Sequence, residues 1–202
     1  MITYQDYLKI SDSDDERMKF VLTVIEDHKH SQFYEIAKTA NEYAKHLNTT
    51  IVEFQKLLYT VSGKAIPDNF SANYKLSSGF FPRFISQQTQ FLLGNGVSWT
   101  KADTEKKLGA DFDTMLQKAG KMALIGGVSY GFFNLDHMDV FSALEFAPLY
   151  DEENGAIMAG VRFWQLNKMK PIRATFYEMD GYTEYIWKDG KGEVLAEKRA
   201  YK

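Results

Sequence analysis

The first third of the chain repeats apolar residues every three or four positions, which places them on one face of an α-helix. A first helix is predicted to begin at Asp12 or Ser13, since either residue can cap a helix N-terminus. Ser31 is predicted to cap a second helix that stops at Asn48, and residues 49–61 form a third amphipathic segment. The expected inward-facing residues are Met18, Val21, Leu22 and Ile25; Phe33, Ile36, Ala37, Ala40, Tyr43 and Ala44; and Ile51, Phe54, Leu57 and Leu58.

Residues 62–78 are rich in turn-forming side chains and are predicted to form a loop or hinge. Two further helices are predicted, one over residues 76–93 with Pro82 in its first turn and one over residues 111–125. The apolar stripes expected on them are Phe80, Phe81, Phe84, Ile85, Thr89, Leu92 and Leu93, and Phe112, Met115, Leu116, Ala119, Met122 and Ala123.

After Gly126-Gly127 the pattern changes to an alternation of aromatic or β-branched residues with polar ones, which is typical of strands. A hairpin is predicted to turn near Asp136 and His137. Dipeptides that favour tight hairpin turns separate the later strand-like runs, at Asn154-Gly155, Asp180-Gly181 and Asp189-Gly190. The sequence therefore predicts an α+β fold, with N-terminal helices followed by an antiparallel β-meander.

The 202 residues are long enough to bury a substantial core. We divide them into an N-terminal helical segment, residues 1–60, and a region of helices and antiparallel sheet, residues 61–202. A hydrophobic content of 45% and an aromatic content of 15% indicate a folded protein.

Charge and cysteine content exclude or disfavour several classes of function. The formal net charge of −3 disfavours a nucleic-acid-binding module, which usually carries a basic surface. The chain has no Cys, so disulfides, thiolate metal sites and thiol nucleophiles are excluded. The N-terminus lacks the pattern of a secretory signal, and the most apolar window, residues 122–133, is too short to span a bilayer. We expect a soluble protein without a membrane partner.

Gly94-Asn95-Gly96 raises the question of a phosphate-binding loop. Such a loop follows a strand and opens a helix, so that the helix N-terminal amides face the anion. Here the predicted helix precedes the glycines, and an extended segment follows them. The order predicts a helix C-terminus with Gly94 as the left-handed residue. Gly126-Gly127 also follows a helix and is expected to permit a close contact between that helix and a strand.

The histidines and acidic residues show no recognised spacing of metal ligands. His28 and His30 are two positions apart and do not share a helix face. Asp136, His137 and Asp139 fall on the predicted hairpin tip, and the acidic run 150–154 is expected to form a solvated turn. No order of nucleophile, base and acid stands out. The sequence predicts no catalytic residue, no cofactor-binding residue, no metal ligand and no cofactor.

Aromatic residues are abundant in five clusters of the sequence. Stacking on nucleic-acid bases would require interleaved basic residues, and the only clustered ones, around a loop, are Arg162, Lys168, Lys170 and Arg173. Core packing is the favoured use of the aromatic residues. The alternative is an enzyme that binds a small molecule in an aromatic pocket between the central helices and the sheet.

Four blocks between Asn41 and Trp164 resemble, in order, the portal proteins of tailed bacteriophages of the type found in Gram-positive phages and prophages. The blocks are "ANEYAKHLN", "FFPRFISQQTQFLLGNGVSW", "LQKAGKMALIGGVSYGFFNLD" and "FAPLYDEENGAIMAGVRFW". The second is similar to a long helix ending in a "yLLG-x-P-i" turn, with Gly96 and Val97 where Pro and Ile are typical. In the fourth, Pro148, Tyr150 and Asp151 are in register with the family's "P-x-x-v-x-x-i-Y-D" strand.

The resemblance implies a structural, non-enzymatic subunit of a dodecamer-like ring at the capsid vertex of the virion, assembled in the bacterial host cytoplasm. Double-stranded DNA would pass through the ring non-specifically. Terminase, capsid or scaffold proteins and head-completion proteins would be further partners. Portal chains continue into stem, clip and crown, whereas this sequence ends at Lys202. We expect it to form the portal wing, as an N-terminal fragment or a prophage remnant, and to be a monomer or small oligomer.

Overall fold

Helices occupy most of the chain before residue 127 and antiparallel strands most of it afterwards, in a computed structural model that describes residues 2–10, 13–134 and 137–201. This α+β class is the one the sequence predicts. The helices are α1 (Tyr4–Leu8), α2 (Asp14–His30), α3 (Gln32–Ala44), α4 (Thr49–Glu53), α5 (Phe80–Leu93), α6 (Ala102–Leu108) and α7 (Phe112–Gly126). The strands are β1 (Leu57–Tyr59), β2 (Ala65–Pro67), β3 (Ser129–Asn134), β4 (His137–Ser142), β5 (Phe146–Tyr150), β6 (Ile157–Trp164), β7 (Ile172–Tyr177), β8 (Gly181–Lys188) and β9 (Lys191–Ala200).

Helix α2 begins where the sequence predicts. Ser13 is its N-cap, while Asp12, the other predicted cap, lies outside the described residues. The first turn is acidic and the last turn is basic, which favours the helix dipole at both ends. Ser31 then caps α3, its hydroxyl oxygen accepting the backbone N–H of Tyr34 at 3.1 Å. Both predicted starts are therefore confirmed for the described residues.

The main core lies between α2 and one face of a five-stranded antiparallel sheet of order β5-β6-β7-β8-β9. Each strand pairs with its neighbour in sequence, which makes the sheet a meander, as predicted. The buried apolar residues of this core are Val21, Val24, Ile25, Ala147, Leu149, Ala159, Val161, Phe163, Ala174, Phe176 and Tyr185. Val24 takes the place that the sequence prediction gave to Leu22, which is only half-buried.

A second layer is formed by α3, α5 and α7 together with the hairpin of β3 and β4. The hairpin strands are those that the sequence predicts, although Asp136 lies outside the described residues. Gly126 is buried at the end of α7, beside Ala37 of α3 and Ala143 just beyond β4. The neighbours of Gly126 are therefore a helix and a turn, not the strand that was expected, and Gly127, at a φ of 85°, ends the helix.

The three predicted turns of the meander are present, and one of them uses its glycine differently. Gly155 (φ 68°) and the Asp189-Gly190 pair (φ 51° and 78°) adopt the left-handed conformation that the dipeptides favour. Gly181 does not have a positive φ. A Cβ at Gly181 would instead meet the carbonyl oxygen of Arg199 on β9, so glycine is required there by the neighbouring strand.

The predicted third helix, residues 49–61, is wrong beyond its first turn. Helix α4 ends at Glu53, and β1 pairs antiparallel with β2. Gly63 (φ 79°) reverses the chain between the two strands. Asn48 does not end α3, which stops at Ala44; its side chain instead caps α4 by accepting the N–H of Ile51 at 3.1 Å. The boundary between residues 60 and 61 falls in this hairpin connection, and the division into two regions stays a prediction.

The Gly94-Asn95-Gly96 segment ends a helix, but its left-handed residue is Gly96 (φ 72°), not Gly94, which keeps a right-handed φ of −65°. The N–H of Val97 donates to a carboxylate oxygen of Asp113 at 3.3 Å. A Cβ at Gly96 would meet the same carboxylate. The Asp113 carboxylate therefore accepts the hydrogen bond of the Val97 amide, and this bond connects the turn after α5 to the start of α7.

Candidate functional site

Residues 54–99, which we call the apolar arm, carry many large hydrophobic side chains that are exposed to solvent. The arm comprises β1, β2, the loop that follows them, α5 and the turn after it. Its most exposed rings are Phe70, in the loop after β2, at 94% and Phe91, near the end of α5, at 90%. The exposed large hydrophobic residues of the arm are Phe54, Leu57, Leu58, Tyr59, Val61, Ile66, Phe70, Tyr74, Leu76, Phe80, Phe84, Phe91, Leu92 and Trp99.

The β1–β2 ribbon of the arm is exposed at every residue of both strands. Hydrogen bonds from neighbouring side chains tie the ribbon to the loop behind it: Lys56 Nζ donates to the carbonyl oxygen of Ala72 at 2.6 Å, and Asn73 Nδ2 donates to that of Phe54 at 3.0 Å. A two-stranded ribbon without a hydrophobic face packed on something else is only marginally stable in water. The exposed side chains of the ribbon are therefore available to pack against another surface.

Helix α5 presents apolar residues on two sides. The side facing α3 and α7 carries Ile85, which is buried, and Phe81 and Leu93, which are half-buried. The other side exposes Phe80 and Phe84, whose rings stack at a centroid distance of 6.3 Å. The sequence prediction that all these residues face inward is therefore wrong for Phe80, Phe84 and Leu92. It is also wrong for Phe33 and Ile36 of α3, which are exposed.

A cleft of about 570 Å³ lies between α2, the start of α3 and strand β5. The sequence alternative placed a small-molecule pocket between the central helices and the sheet, whereas this cleft lies beside the N-terminal helices. Aromatic side chains on its wall come from Phe33, Tyr130 and Tyr150, and a His side chain from His28. Burial raises the pKa of the Tyr130 hydroxyl, and the nearby Tyr150 adds to this effect. The phenol of Tyr130 on the cleft wall is therefore held in its neutral form.

The two histidines of α2 bond to backbone carbonyls in different places. The Nε2–H of His28 donates to the carbonyl oxygen of Ala143 at 2.8 Å, and the Nδ1–H of His30 donates to that of Glu26 at 2.7 Å. Burial lowers the pKa of His28, and the bond to Ala143 opposes this change only in part. His28 therefore joins α2 to the end of the β3–β4 hairpin as a neutral imidazole.

We predict that His28→Gln makes the stability of the protein less sensitive to pH between about 7.5 and 5.5. Because burial lowers the pKa of His28 in the folded state from the ordinary 6.5, the unfolded chain binds the proton more readily. The wild type therefore loses stability as the pH falls below 6.5. Urea titrations at both pH values measure this change. His30→Gln, at an exposed position, should keep the wild-type pH dependence, and an unchanged dependence in His28→Gln would contradict the prediction.

A polar groove of about 520 Å³ runs between the β3–β4 hairpin and the face of the sheet opposite α2. The Arg162 guanidinium lies between two rings there, 4.5 Å from the centre of Phe141 and 4.9 Å from that of Trp164. Burial raises the pKa of the neighbouring Tyr177, an effect that Arg162 opposes and Asp139 reinforces. Such cation–π contacts hold the guanidinium in place on the wall of the groove.

The other residues discussed from the sequence are not brought into one site. His137 Nε2 lies 3.8 Å from a carboxylate oxygen of Asp139 at the hairpin tip. The acidic run 150–154 forms the turn before β6, where side-chain oxygens of Asp151 and Asn154 accept nearby backbone N–H groups at 2.7 Å. Lys168 and Lys170 lie exposed in the loop between β6 and β7, away from the ring sandwich that holds Arg162.

Sequence reasoning missed the apolar arm and the polar groove. A signal for the ribbon was present, since Ser62-Gly63 is a turn dipeptide between two short runs rich in β-branched and aromatic residues. A signal for the groove was the alternation of Arg162 and Trp164, which places both side chains on one face of a strand.

Neither the models of protein families nor the curated proteins match this sequence. In the described part of the chain, no three or more His, Asp or Glu residues are grouped so as to hold a metal ion. No helix within those residues has the length and apolar character needed to cross a bilayer. The expectation of no catalytic residue, cofactor or metal stays a prediction.

Proposed function

We propose that this chain is a structural subunit of the portal ring of a tailed bacteriophage, and that it has no enzymatic activity. The observation that carries the proposal is the apolar arm. Fourteen large hydrophobic side chains are exposed on one segment of 46 residues, which is more than a monomeric protein usually leaves in contact with water. Surfaces of this kind mark contacts with other proteins.

The resemblance to portal proteins supports the same proposal, because one of its blocks covers residues 80–99 of the arm. One of its four blocks is α5 with the turn at Gly96, and the next includes α7 and β3. The order of a long helix, a turn, a second helix and a hairpin agrees with what the resemblance implies. In this proposal, terminase, capsid or scaffold proteins and head-completion proteins bind the ring, which lies at the capsid vertex and assembles in the host cytoplasm.

The proposed relation to DNA is passage without specific binding. The formal net charge of −3 gives the chain little general attraction for a duplex, since binding strength rises with the number of phosphates that basic residues neutralise. Weak contacts between the ring and DNA allow the DNA to slide through the ring. The polar groove is not a basic surface that would attract DNA. Its Arg162 and Arg199 are balanced by Asp139 and Glu184.

The helix–sheet cleft supports a second candidate function, the binding of a small molecule by an enzyme. Its volume of about 570 Å³ and its aromatic wall are within the range of ligand pockets. Its apolar lining, which includes Val24, Ala147 and Leu149, suits an apolar ligand. Thermal shifts with a library of such ligands discriminate the candidates, because a portal subunit has no reason to respond to any of them.

The genes that flank the coding sequence provide the test of the portal proposal. We expect a gene for the large terminase subunit upstream and a gene for a capsid protease or scaffold protein downstream. Peptides of this chain should also be found in purified phage particles, at a level far below that of the major capsid protein, since a ring occupies one vertex. Neighbouring genes for a metabolic pathway, together with a ligand-induced thermal shift, would support the second candidate instead.

A further inference from the structure

We propose that the apolar arm of one subunit packs against the acidic body of the next copy, so that the chains associate head to tail. By the body we mean all residues outside 54–99. This inference rests on the proposed function, since it names the partner of the arm within a ring. The argument uses the charge, the area and the asymmetry of the two surfaces.

Charge separates the arm from the body. The arm contains Lys56, Lys64, Lys75 and Arg83 against a single acidic residue, Asp68, and so carries a net charge of +3. Since the whole chain carries −3, the body carries −6. Complementary charge of this size favours a contact between arm and body over one between two arms, which would bring like charges together.

Acidic side chains are exposed over much of the body, including the following two places. Asp14 and Asp15 lie in the first turn of α2, and Glu152 and Glu153 lie in the turn between β5 and β6. Both places belong to the unit formed by α2 and the five-stranded sheet. Because Glu35 of α3 and Asp111 before α7 are exposed as well, we expect the arm to meet an acidic surface of the neighbouring copy.

The exposed apolar area of the arm is sufficient for a specific interface. Seven of its aromatic rings are more than half exposed: Phe54, Tyr59, Phe70, Tyr74, Phe80, Phe84 and Phe91. With about 200 Å² for a fully exposed aromatic side chain, they present on the order of 1,000 Å². A standard protein–protein interface buries about 800 Å² on each partner. Because the rings are distributed over the ribbon, the loop and α5, a single contact buries part of this area.

The two surfaces are different parts of one chain, which determines the symmetry of the association. A contact between unlike patches leaves each copy with one free arm and one free body. Such heterologous contacts continue until they close into a ring or extend as a filament. A ring is the assembly that the proposed function requires, so the asymmetry of arm and body agrees with it.

Photo-crosslinking tests the contact directly, because the chain contains no cysteine. In Val61→Cys, a fully exposed position between β1 and β2, a benzophenone maleimide labels one site at the end of the ribbon. The labelled chain is mixed with an equal amount of ¹⁵N-labelled wild type at up to about 500 µM, which detects contacts with millimolar Kd. Mass spectrometry then identifies crosslinks between a light and a heavy chain. We expect these crosslinks to join residue 61 to body peptides.

A charge reversal in the labelled chain provides the second measurement. Lys64→Glu with Arg83→Glu, both exposed, should lower the yield of light–heavy crosslinks at least about fivefold, the effect of about 1 kcal/mol. Lys168→Glu with Lys170→Glu makes the same change of charge in an exposed loop of the body and is the matched control. Because the control variant only makes the body more acidic, its yield should not fall.

Light–heavy crosslinks between two arms, crosslinks confined to one chain, or none at about 500 µM would each overturn the inference. These outcomes are distinguishable from a failure of the portal proposal, which the flanking genes decide. Arm-to-body crosslinks in a chain without phage genes beside it would leave the self-association standing and remove the portal. Phage genes without such crosslinks would leave the portal proposal standing and assign the arm to another partner.

Discussion

Phe176→Ala is expected to lower the free energy of unfolding by about 3–5 kcal/mol, whereas Phe91→Ala changes it by no more than about 0.5 kcal/mol. Phe176 is 1% exposed, in the core between the sheet and α2, with the Tyr7 ring 4.8 Å away at its edge. Truncating it leaves a cavity that the sheet cannot close. Phe91 is 90% exposed, so its truncation removes little packing within its own chain. Urea titrations followed by circular dichroism measure both changes.

The two variants form a matched pair, because the same atoms are removed from each. A large loss of stability in Phe91→Ala would show that α5 packs its outer side within the chain, and it would remove the apolar arm as an interaction surface. A small loss in Phe176→Ala would contradict the core described between α2 and the meander. If both outcomes agree with expectation, the aromatic residues are divided into those for the fold and those available to a partner.

The strand order of the meander was predictable because its signals are local. Asp189-Gly190 adopts two successive positive φ values, which that dipeptide tolerates in any context. The Asp180-Gly181 pair shows what local sequence signals do not predict. The turn is present, yet Gly181 is needed because of Arg199 on another strand, and no local pattern contains that contact.

The failures concern residues whose packing partners are not adjacent in sequence. Leu57 and Leu58 fit helical spacing, and Phe80 and Phe84 fit an inward stripe, but all four are exposed. A periodicity argument assumes that every apolar stripe packs within its own chain. The arm breaks that assumption, and departures of this kind are expected where a surface serves a function outside the fold.

The candidate site was predictable to a smaller extent than the fold. The aromatic excess indicated a pocket between the central helices and the sheet, whereas the cleft lies beside α2 and the start of α3. The sandwich of Arg162 between Phe141 and Trp164 was not predictable, because it requires the β3–β4 hairpin to approach a sheet that begins after it in the sequence. Sequence spacing alone placed Arg162 in a basic cluster.

The 202-residue chain is expected to be a monomer or small oligomer at micromolar concentration and to bind a DNA duplex with a Kd weaker than about 10 µM at moderate salt. Association costs about 4–15 kcal/mol of lost translational and rotational freedom, and a single arm-to-body contact offsets only part of this at such dilution. With a net charge of −3, the chain releases few counterions from a duplex. Light scattering behind a sizing column measures the mass, and the same column with a fluorescent duplex measures binding.

Two comparisons make the duplex measurement decisive for the portal proposal. Lowering the salt should strengthen any binding only slightly, because the slope of affinity against salt follows the number of neutralised phosphates. Two duplexes of unrelated sequence should bind equally weakly, because contacts with the phosphate backbone do not depend on base sequence. A closed ring formed by this chain alone would contradict the expected mass. Nanomolar binding to one duplex and not the other requires base contacts, and a ring that reads bases would hold the DNA that a portal must allow to slide.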